Sequence, residues 1–219
     1  MNLANVEDLT LRRTSAPAAV KAAPARVRRP PLRWRLRQLM MLLLNGSLFV
    51  PALARLARRF GLVVAYTELR LVKYHGDGSI TDYGLASRRI VTTAGVNFLA
   101  GCFDATNSIT LFKFAAFGTG VTAAAIGDTT LQAEFTTQYA VASTRPTGSQ
   151  AHSTNTYTTV ATFSPGSGGV LAVTEYGLMS QAATGGGTLI DHFVFAAVNL
   201  TSGSDSLAST FVLTLPSGG

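Results

Sequence analysis

Residues 170–200 constrain the fold most strongly, because their pattern predicts two strands joined by a glycine-rich turn. The three glycines at 185–187 supply the backbone freedom that a tight reversal needs. In the second strand Phe193, Phe195 and Ala197 alternate with other apolar residues, so both faces of the strand are apolar. Such a strand is typical of the centre of a packed sheet or of an interface between subunits. We expect these three residues to take part in an oligomer interface.

The first strand of this pair carries one acidic residue, Glu175, in a run of otherwise uncharged side chains. Successive side chains of a strand point to opposite faces, which predicts Glu175 on the same face as Val173. The two predicted faces hold Leu171, Val173 and Glu175 on one side, and Ala172, Thr174 and Tyr176 on the other.

The charge distribution divides the 219 residues into two kinds of polypeptide. Residues 1–60 carry 12 of the 18 basic residues, and their only acidic residues are Glu7 and Asp8. Residues 61–219 carry the other nine acidic residues and 20 of the 21 glycines. The division predicts a basic N-terminal segment attached to a glycine-rich folded domain.

Residues 1–31 are rich in Ala, Pro and Arg and have no hydrophobic period, which predicts an extended basic arm. The positive charge favours an anionic partner surface: nucleic acid, lipid headgroups or an acidic protein patch. A transit peptide is a rival interpretation, against which Glu7 and Asp8 weigh.

Residues 32–60 are predicted to form short amphipathic helices interrupted at Asn45-Gly46-Ser47. The uninterrupted apolar run, residues 39–44, is too short to span a bilayer, which needs about 20 residues. We interpret the segment as an anchor that docks on a partner protein in preference to a membrane surface. The residues expected to make this contact are Arg28, Arg29, Arg33, Trp34, Arg35, Arg37, Leu39, Leu42, Leu43, Phe49, Leu53, Leu56 and Phe60.

Residues 61–219 are predicted to form a mainly β domain, an antiparallel β-sandwich of jelly-roll type. Short β-rich runs separated by glycine-rich turns support this fold, and no βαβ rhythm is present. The pattern predicts one helix over residues 94–103 and a short helical turn over residues 129–135. Strands are predicted at residues 62–75, 80–85, 87–92, 112–117, 157–163 and 209–215, in addition to the two in residues 170–200.

Motifs that bind nucleotides are incomplete. Gly118 and Gly120 open a small-residue loop, but Ala123 stands where a dinucleotide fingerprint needs its third glycine. The glycines at 185–187 lack the Lys-Ser/Thr pair that follows in a phosphate-binding loop. We predict that the chain uses no cofactor.

Metal ligands are also few. Cys102 is the only cysteine, which excludes a disulfide within one chain and a cysteine-based metal site. His75, His152 and His192 lack the HxH or HxxxH spacing of metal-ligand pairs. We predict no metal site and expect Cys102 to behave as a small buried hydrophobe.

Two carboxylates on neighbouring predicted strands, Glu175 and Asp191, are the only candidates for a catalytic pair. A glycosidase would need such a pair facing each other, and Asp191-His192 resembles half of a catalytic triad. No serine in a GxSxG context accompanies them. We interpret them as structural groups or as partners of Arg88 and Arg89, and we predict that the protein is not an enzyme.

Five sequence blocks follow one another over about two thirds of the chain. In their order and spacing the chain resembles a family of small structural proteins encoded by tailed bacteriophages. The blocks are residues 88–100 (RRIVTTAGVNFLA), 117–134 (FGTGVTAAAIGDTTLQAE), 155–163 (NTYTTVATF), 173–200 (VTEYGLMSQAATGGGTLIDHFVFAAVNL) and 210–219 (TFVLTLPSGG).

The resemblance implies a virion component without enzymatic activity, and the basic arm of residues 1–31 is not a signature of this family. The first hypothesis is a capsid-associated decoration or cement protein that docks through its N-terminal arm and self-associates through its β domain. Its partners would be the major capsid protein, or portal and tail proteins, and its location the virion. The alternative is a tail or neck fibre or adaptor protein.

Two further hypotheses remain open. The arm could hold nucleic acid, or the β domain could bind a host-surface glycan through Tyr74, Tyr139 and Tyr157. An enzyme that hydrolyses glycans with Glu175 and Asp191 ranks last.

Overall fold

The computed structural model describes residues 25–44, 46, 48–60 and 64–216. The predicted arm therefore lies outside the described residues except for its last seven positions. Over the described ranges the helices are α1 (Leu32–Leu44), α2 (Val50–Arg59) and α3 (Thr93–Phe103). The strands are β1 (Val27–Arg28), β2 (Tyr66–Tyr74), β3 (Ile80–Ile90), β4 (Phe114–Gly118), β5 (Ser149–Ser153), β6 (Thr156–Phe163), β7 (Val170–Met179), β8 (Leu189–Thr201) and β9 (Ser206–Thr214).

The strands form two packed sheets, which confirms the predicted mainly β sandwich at this level. The larger sheet has the order β1-β3-β2-β9-β6-β5, and the smaller has the order β4-β7-β8. All neighbouring strands are antiparallel except β1, which pairs with β3 in parallel. Strand β1 brings the end of the basic arm against the larger sheet.

The core between the sheets follows from strict alternation in the central strand β9. Leu207, Ser209, Phe211 and Leu213 are buried, whereas the alternate residues are half-buried on the outer face. Phe211 contacts the Phe193 ring of β8 with centroids 6.1 Å apart, so the core joins both sheets. Each such side chain contributes about 1.5–3 kcal/mol when it leaves water.

Phe193 and Phe195 belong to this core, and the structure contradicts their expected role at an oligomer interface. Both are covered by the chain itself, with exposures of 0 and 1%. Ala197 is half-buried. The strand is apolar on both faces because other parts of the chain, among them β3, α1 and α3, pack on it. Strand β8 is nevertheless an edge strand of the smaller sheet, so the other interpretation, a central strand, does not hold either.

The smaller sheet is covered on its outer face by part of residues 119–148, which we call the covering segment. Phe135 and Tyr139 of this segment enter the core between the sheets, where both rings contact Phe163. Leu131 of this segment packs with Ala116, Met179 and Leu189 in a second apolar cluster. The Arg145 guanidinium is buried here, where Nε and Nη2 donate to Glu134 at 2.6 and 2.8 Å and Nη1 donates to backbone carbonyls of residues 181–186. The covering segment is thus held at several points and buries the sheet on both faces.

The predicted helical turn at residues 129–135 is wrong. The backbone N–H groups of Gln132 and Ala133 donate to the Glu175 carboxylate, and Phe135 donates to the Phe117 carbonyl. These donors are not free to form helical hydrogen bonds, so the segment stays irregular.

Helix α3 confirms the prediction for residues 94–103. Thr92 caps it by accepting a hydrogen bond from Gly95 N–H at 2.9 Å, and its hydroxyl lies 2.9 Å from the Ile190 carbonyl. A side chain at Gly95 would overlap that carbonyl, so glycine lets the helix approach β8 closely.

Several strands differ from prediction in their bounds. The runs 80–85 and 87–92 form one strand, β3, because its register shifts opposite Leu69–Arg70 and Leu71–Val72 absorb the irregular pattern. Strand β5 was not predicted, since its residues SQAHS are polar and fully on the edge of the sheet.

Candidate docking surface

Helix α2 has two faces of different chemistry. Its small residues Val50, Ala54 and Ala57 are buried against the rest of the chain. Small side chains let the helix lie close to β3, near Arg88 and Arg89.

A second face of α2, about a quarter turn from the buried one, carries large apolar side chains at helical spacing and continues into the residues that flank the helix. These are Phe49, Leu53, Leu56 and Phe60, which we call the α2 stripe, and each is between 50 and 74% exposed. Arg55 and Arg59 lie beside the stripe on the exposed surface. A continuous exposed apolar row of this size marks an interaction surface more often than isolated exposed residues do.

Helix α1 closes one side of the sandwich. The Gln38 amide is buried and bridges the two sheets, because its Nε2 donates to the Ala86 carbonyl of β3 and its Oε1 accepts from Ala196 N–H of β8 at 2.9 Å. The Trp34 indole N–H donates to the Ala196 carbonyl at 2.9 Å, and its ring lies 4.6 Å from that of Tyr83. Helix α1 thus provides hydrogen-bond partners for backbone groups at two strand edges, those of β3 and β8.

A groove of about 590 Å³ lies between α1 and the part of β3 around Tyr83. Its lining is largely apolar, and it includes the exposed side chains of Arg29 and Arg35, which we call its rim. Asp82, which also lines the groove, accepts a hydrogen bond from Gly84 N–H at 2.7 Å. We call this the α1 groove, and its other lining residues are Pro30, Leu32, Trp34, Leu36, Gln38, Leu39, Leu42, Tyr83 and Gly84.

The structure distributes the predicted docking residues over several environments. Arg28 pairs with Asp77 at 2.6 Å, and Trp34 is engaged inside the chain. Arg29, Arg35, Leu39 and Leu42 line the α1 groove. The others are exposed at the surface: Arg33, Arg37, Leu43, Phe49, Leu53, Leu56 and Phe60.

The two carboxylates considered as a candidate catalytic pair, Glu175 and Asp191, do not face each other. Glu175 points to the covering segment, whereas Asp191 contacts Thr67 of the larger sheet, so the two lie on opposite faces of the smaller sheet. Glu175 is fully buried and accepts hydrogen bonds from the N–H groups of Gly120, Gln132 and Ala133 at 2.8–3.0 Å. This saturates the carboxylate and ties the covering segment to β7.

His192 completes this buried cluster. Its Nε2 lies 3.1 Å from Glu175 Oε2, and its Nδ1 lies 2.7 Å from Asp128 Oδ2. Burial acts to lower the pKa of His192, but hydrogen bonds to Glu175 and Asp128 outweigh it and the pKa is raised. Burial likewise acts to raise the pKa of Glu175, but the hydrogen bonds from His192 and the backbone lower it. The arrangement is an imidazole held between two carboxylates, which favour its protonated form.

Asp191 behaves differently from these carboxylates. Burial raises its pKa to about 7, against the opposing hydrogen bonds from the Thr67 hydroxyl and His192 N–H. The Arg89 guanidinium, which donates to the Ala124 carbonyl, favours the ionised form but does not reverse the shift. Arg88 was expected to pair with Glu175 or Asp191, but its guanidinium pairs with Glu68 at 2.6 Å.

Three structural roles were missed by sequence reasoning. Gln38 and Arg145 carry no sequence signal, since a polar residue in a helix or loop is usually exposed. Gly118 and Gly120 did carry a sequence signal, their spacing in a small-residue loop. A Cβ on either glycine would overlap Glu175, so glycine at both positions lets the backbone approach this carboxylate closely.

Across the described ranges, no cluster of three or more His, Cys, Asp or Glu side chains could hold a metal ion. The helices in these ranges are all too short or too polar to cross a membrane. Comparisons with protein-family models, with curated proteins and with solved structures found no match for this chain.

Proposed function

We propose that the chain is a non-enzymatic structural protein of a bacteriophage virion, a capsid-associated decoration or cement protein. It docks on a larger virion protein through the α2 stripe. The observation that carries the proposal is the division of α2 into a small buried face and a large exposed apolar face. The phage assignment itself rests on the five sequence blocks.

The α2 stripe offers enough apolar surface for a specific contact. Its four side chains are at least half exposed, and each would contribute on the order of 1–2 kcal/mol on losing that exposure. Arg55 and Arg59 beside the stripe favour a partner whose apolar groove is rimmed by carboxylates. Such charge complementarity selects the partner and speeds association more than it adds affinity.

The buried charged cluster supports a structural role. The Glu175 carboxylate is saturated by protein donors, and His192 lies between two carboxylates. A catalytic group must reach a substrate, whereas these groups join β7, β8 and the covering segment.

The proposal retains a jelly-roll-like sandwich with a basic extended arm as its architecture. Self-association also stays a prediction, but it no longer involves Phe193 and Phe195. We assign no other residues to self-association, and we propose that the α2 stripe contacts the larger virion protein.

Particle association tests the proposal. Particles are assembled with the wild-type chain, with Leu53→Asp plus Leu56→Asp, or with Val141→Asp plus Val170→Asp, a control that adds the same charge at exposed valines elsewhere. We expect the wild-type and control chains to co-purify with particles and the stripe variant to be lost, with all three equally stable by thermal unfolding. Equal retention of the stripe variant would contradict the docking role.

The place of the chain in the particle is then read by electron cryomicroscopy. Density on the icosahedral shell with α2 seated on the capsid protein supports a decoration or cement protein. Density at the portal, neck or tail favours the fibre or adaptor alternative. Stripe-dependent flotation with anionic vesicles, in the absence of any particle binding, would instead assign the stripe to a membrane surface.

A further inference from the structure

The α1 groove is a concavity of about 590 Å³, lined largely by apolar side chains, that the described part of the chain leaves unfilled. Its lining combines Leu36, Leu39 and Leu42 with the Trp34 and Tyr83 rings. Leu36 and Leu39 are about half exposed, so a bound segment would remove apolar surface from water. The groove is separate from the α2 stripe, which shares none of its residues.

The rim of the groove selects the charge of its occupant. Arg29 and Arg35 lie on the rim, against one acidic residue, Asp82, which is already engaged by Gly84 N–H. The rim is therefore net positive and suits a segment with carboxylates next to apolar side chains.

Residues 3–11 (LANVEDLTL) have this chemistry within the chain itself. Leu3, Val6 and Leu9 recur at a spacing of three, which would place them along one side of a helical turn. Glu7 and Asp8 are the only acidic residues among the first 60. The acidic, apolar segment of the basic arm therefore matches the net positive charge and the apolar lining of the α1 groove.

The chain path brings this segment within reach. Strand β1 is fixed on β3 through Val27 and Arg28, and the next residues, Arg29 and Pro30, already form a wall of the groove. Residues 12–24 provide a linker of 13 residues that spans up to about 43–47 Å when extended. A short connection within one chain gives an effective concentration of about the mM range, which favours the segment of the same chain over that of a second copy.

We infer that residues 3–11 bind in the α1 groove of the same chain, with Leu3, Val6 and Leu9 on its apolar floor and Glu7 and Asp8 facing Arg29 and Arg35. The contact folds the basic arm back over α1 and covers the apolar surface of this helix. The inference goes beyond the docking role of the α2 stripe and does not depend on it.

Trp34 provides the first test, because it is the only tryptophan and lines the groove. The full chain is compared with a triple variant, Leu3→Asp, Val6→Asp and Leu9→Asp, by quenching of Trp34 fluorescence with acrylamide. A matched control, Ala16→Asp, Ala19→Asp and Ala22→Asp, adds the same charge to the linker. We expect a several-fold rise in the quenching constant and a red-shifted emission for the first variant only. Equal quenching in all three proteins would overturn the inference.

Charge reversal gives an independent test of the rim. Arg29→Glu with Arg35→Glu should raise Trp34 quenching. The further changes Glu7→Arg and Asp8→Arg should return the quenching to the wild-type value. A failure of this rescue would contradict the assigned orientation. Particle association through the α2 stripe should be unchanged in every variant, which separates this inference from the proposed function.

Cross-linking identifies whose segment fills the groove. In a Cys102→Ser background, Leu9→Cys is combined with Leu39→Cys or, as a control for random collision, with Val141→Cys. Rapid formation of a disulfide within one chain for the first pair alone supports the inference. A disulfide-linked dimer would assign the groove to a second copy and would overturn the inference. A disulfide that forms no faster than in the control would overturn it as well, because residues 3–11 would then not bind in the groove.

Discussion

At the scale of single residues, Glu175 and His192 tie the covering segment to the paired strands β7 and β8. Glu175 accepts from three backbone N–H groups of the covering segment and lies 3.1 Å from His192 Nε2. Hydrogen bonds to an ionised group are roughly twice as strong as neutral ones. The cluster therefore adds charged hydrogen bonds to the apolar contacts of Leu131, Phe135 and Tyr139, which also hold the covering segment.

Asp191 makes stability depend on pH in a direction opposite to that of most carboxylates. Its folded pKa is raised from 3.8 to about 7, so its contribution is fully present below pH 4 and is lost as the pH rises towards 7. We expect the free energy of unfolding to fall over this window by at most about 1.4 kcal/mol per pH unit from this group. Asp191→Asn keeps the shape and the partners of the side chain and should flatten that slope.

The measurement is urea unfolding of wild-type and Asp191→Asn chains at several values between pH 4.5 and 8. The difference between the two curves isolates Asp191, because His192, whose raised pKa acts in the same direction near neutral pH, is common to both. Parallel curves would show that Asp191 titrates as an ordinary carboxyl group.

The side on which Glu175 lies shows where sequence reasoning fails at this scale. Strict alternation predicts Glu175 beside Val173, but the register of β7 against β8 shifts between these two residues. Val173 and Tyr176 therefore face the core together, and Glu175 faces the covering segment. A bulge of this kind depends on pairing between distant strands, which the local pattern of either strand does not contain.

At the scale of secondary-structure elements, α1 is held by polar bonds as much as by apolar contact. Gln38→Leu would keep the volume but leave the Ala86 carbonyl and the Ala196 N–H unpaired in a buried site. We expect a loss of about 2–4 kcal/mol of stability. Hydrogen exchange should become faster at Ala196 and throughout α1. The exposed neighbour Arg37→Ala provides the control and should change stability by no more than about 0.5 kcal/mol. Unchanged hydrogen exchange in Gln38→Leu would show that the hydrogen bonds of Gln38 do not stabilise α1.

Local patterns were sufficient for α1, α2, α3 and the two strands of residues 170–200, whose periodicity is strong and whose ends carry clear turn signals. They were insufficient for residues 129–135, where Glu175 takes the backbone donors that a helical turn would use. They were also insufficient for the docking residues, since an exposed leucine in α2 and a groove-lining leucine in α1 have the same local pattern.

At the scale of the whole molecule, most strand edges in the described residues are covered by the chain itself. Helix α1 covers the edge of β8, and bridges from Thr147 and Glu134 to β4 cover the opposite edge of the smaller sheet. In the larger sheet β1 pairs with part of β3, and β5 is a short polar edge. Covered and polar edges oppose strand pairing between copies, which favours docking through helices over association through the sheets.

The division of the chain into an anchor, residues 32–60, and a β domain, residues 61–219, is tested by cutting between them. A protease site is placed after Phe60, and the full-length chain is cleaved after it has folded. Because α1 packs on β8 and β3 through Trp34 and Gln38, and α2 packs on β3 through Val50, Ala54 and Ala57, the two fragments should co-elute and unfold in a single transition. Trp34→Ala with Gln38→Ala should release the helical fragment only after cleavage, since the intact chain keeps it at high effective concentration. Separation of the wild-type fragments on cleavage would mean that the helices are an appendage of the sandwich and that their exposed apolar surface is stabilised only by a partner.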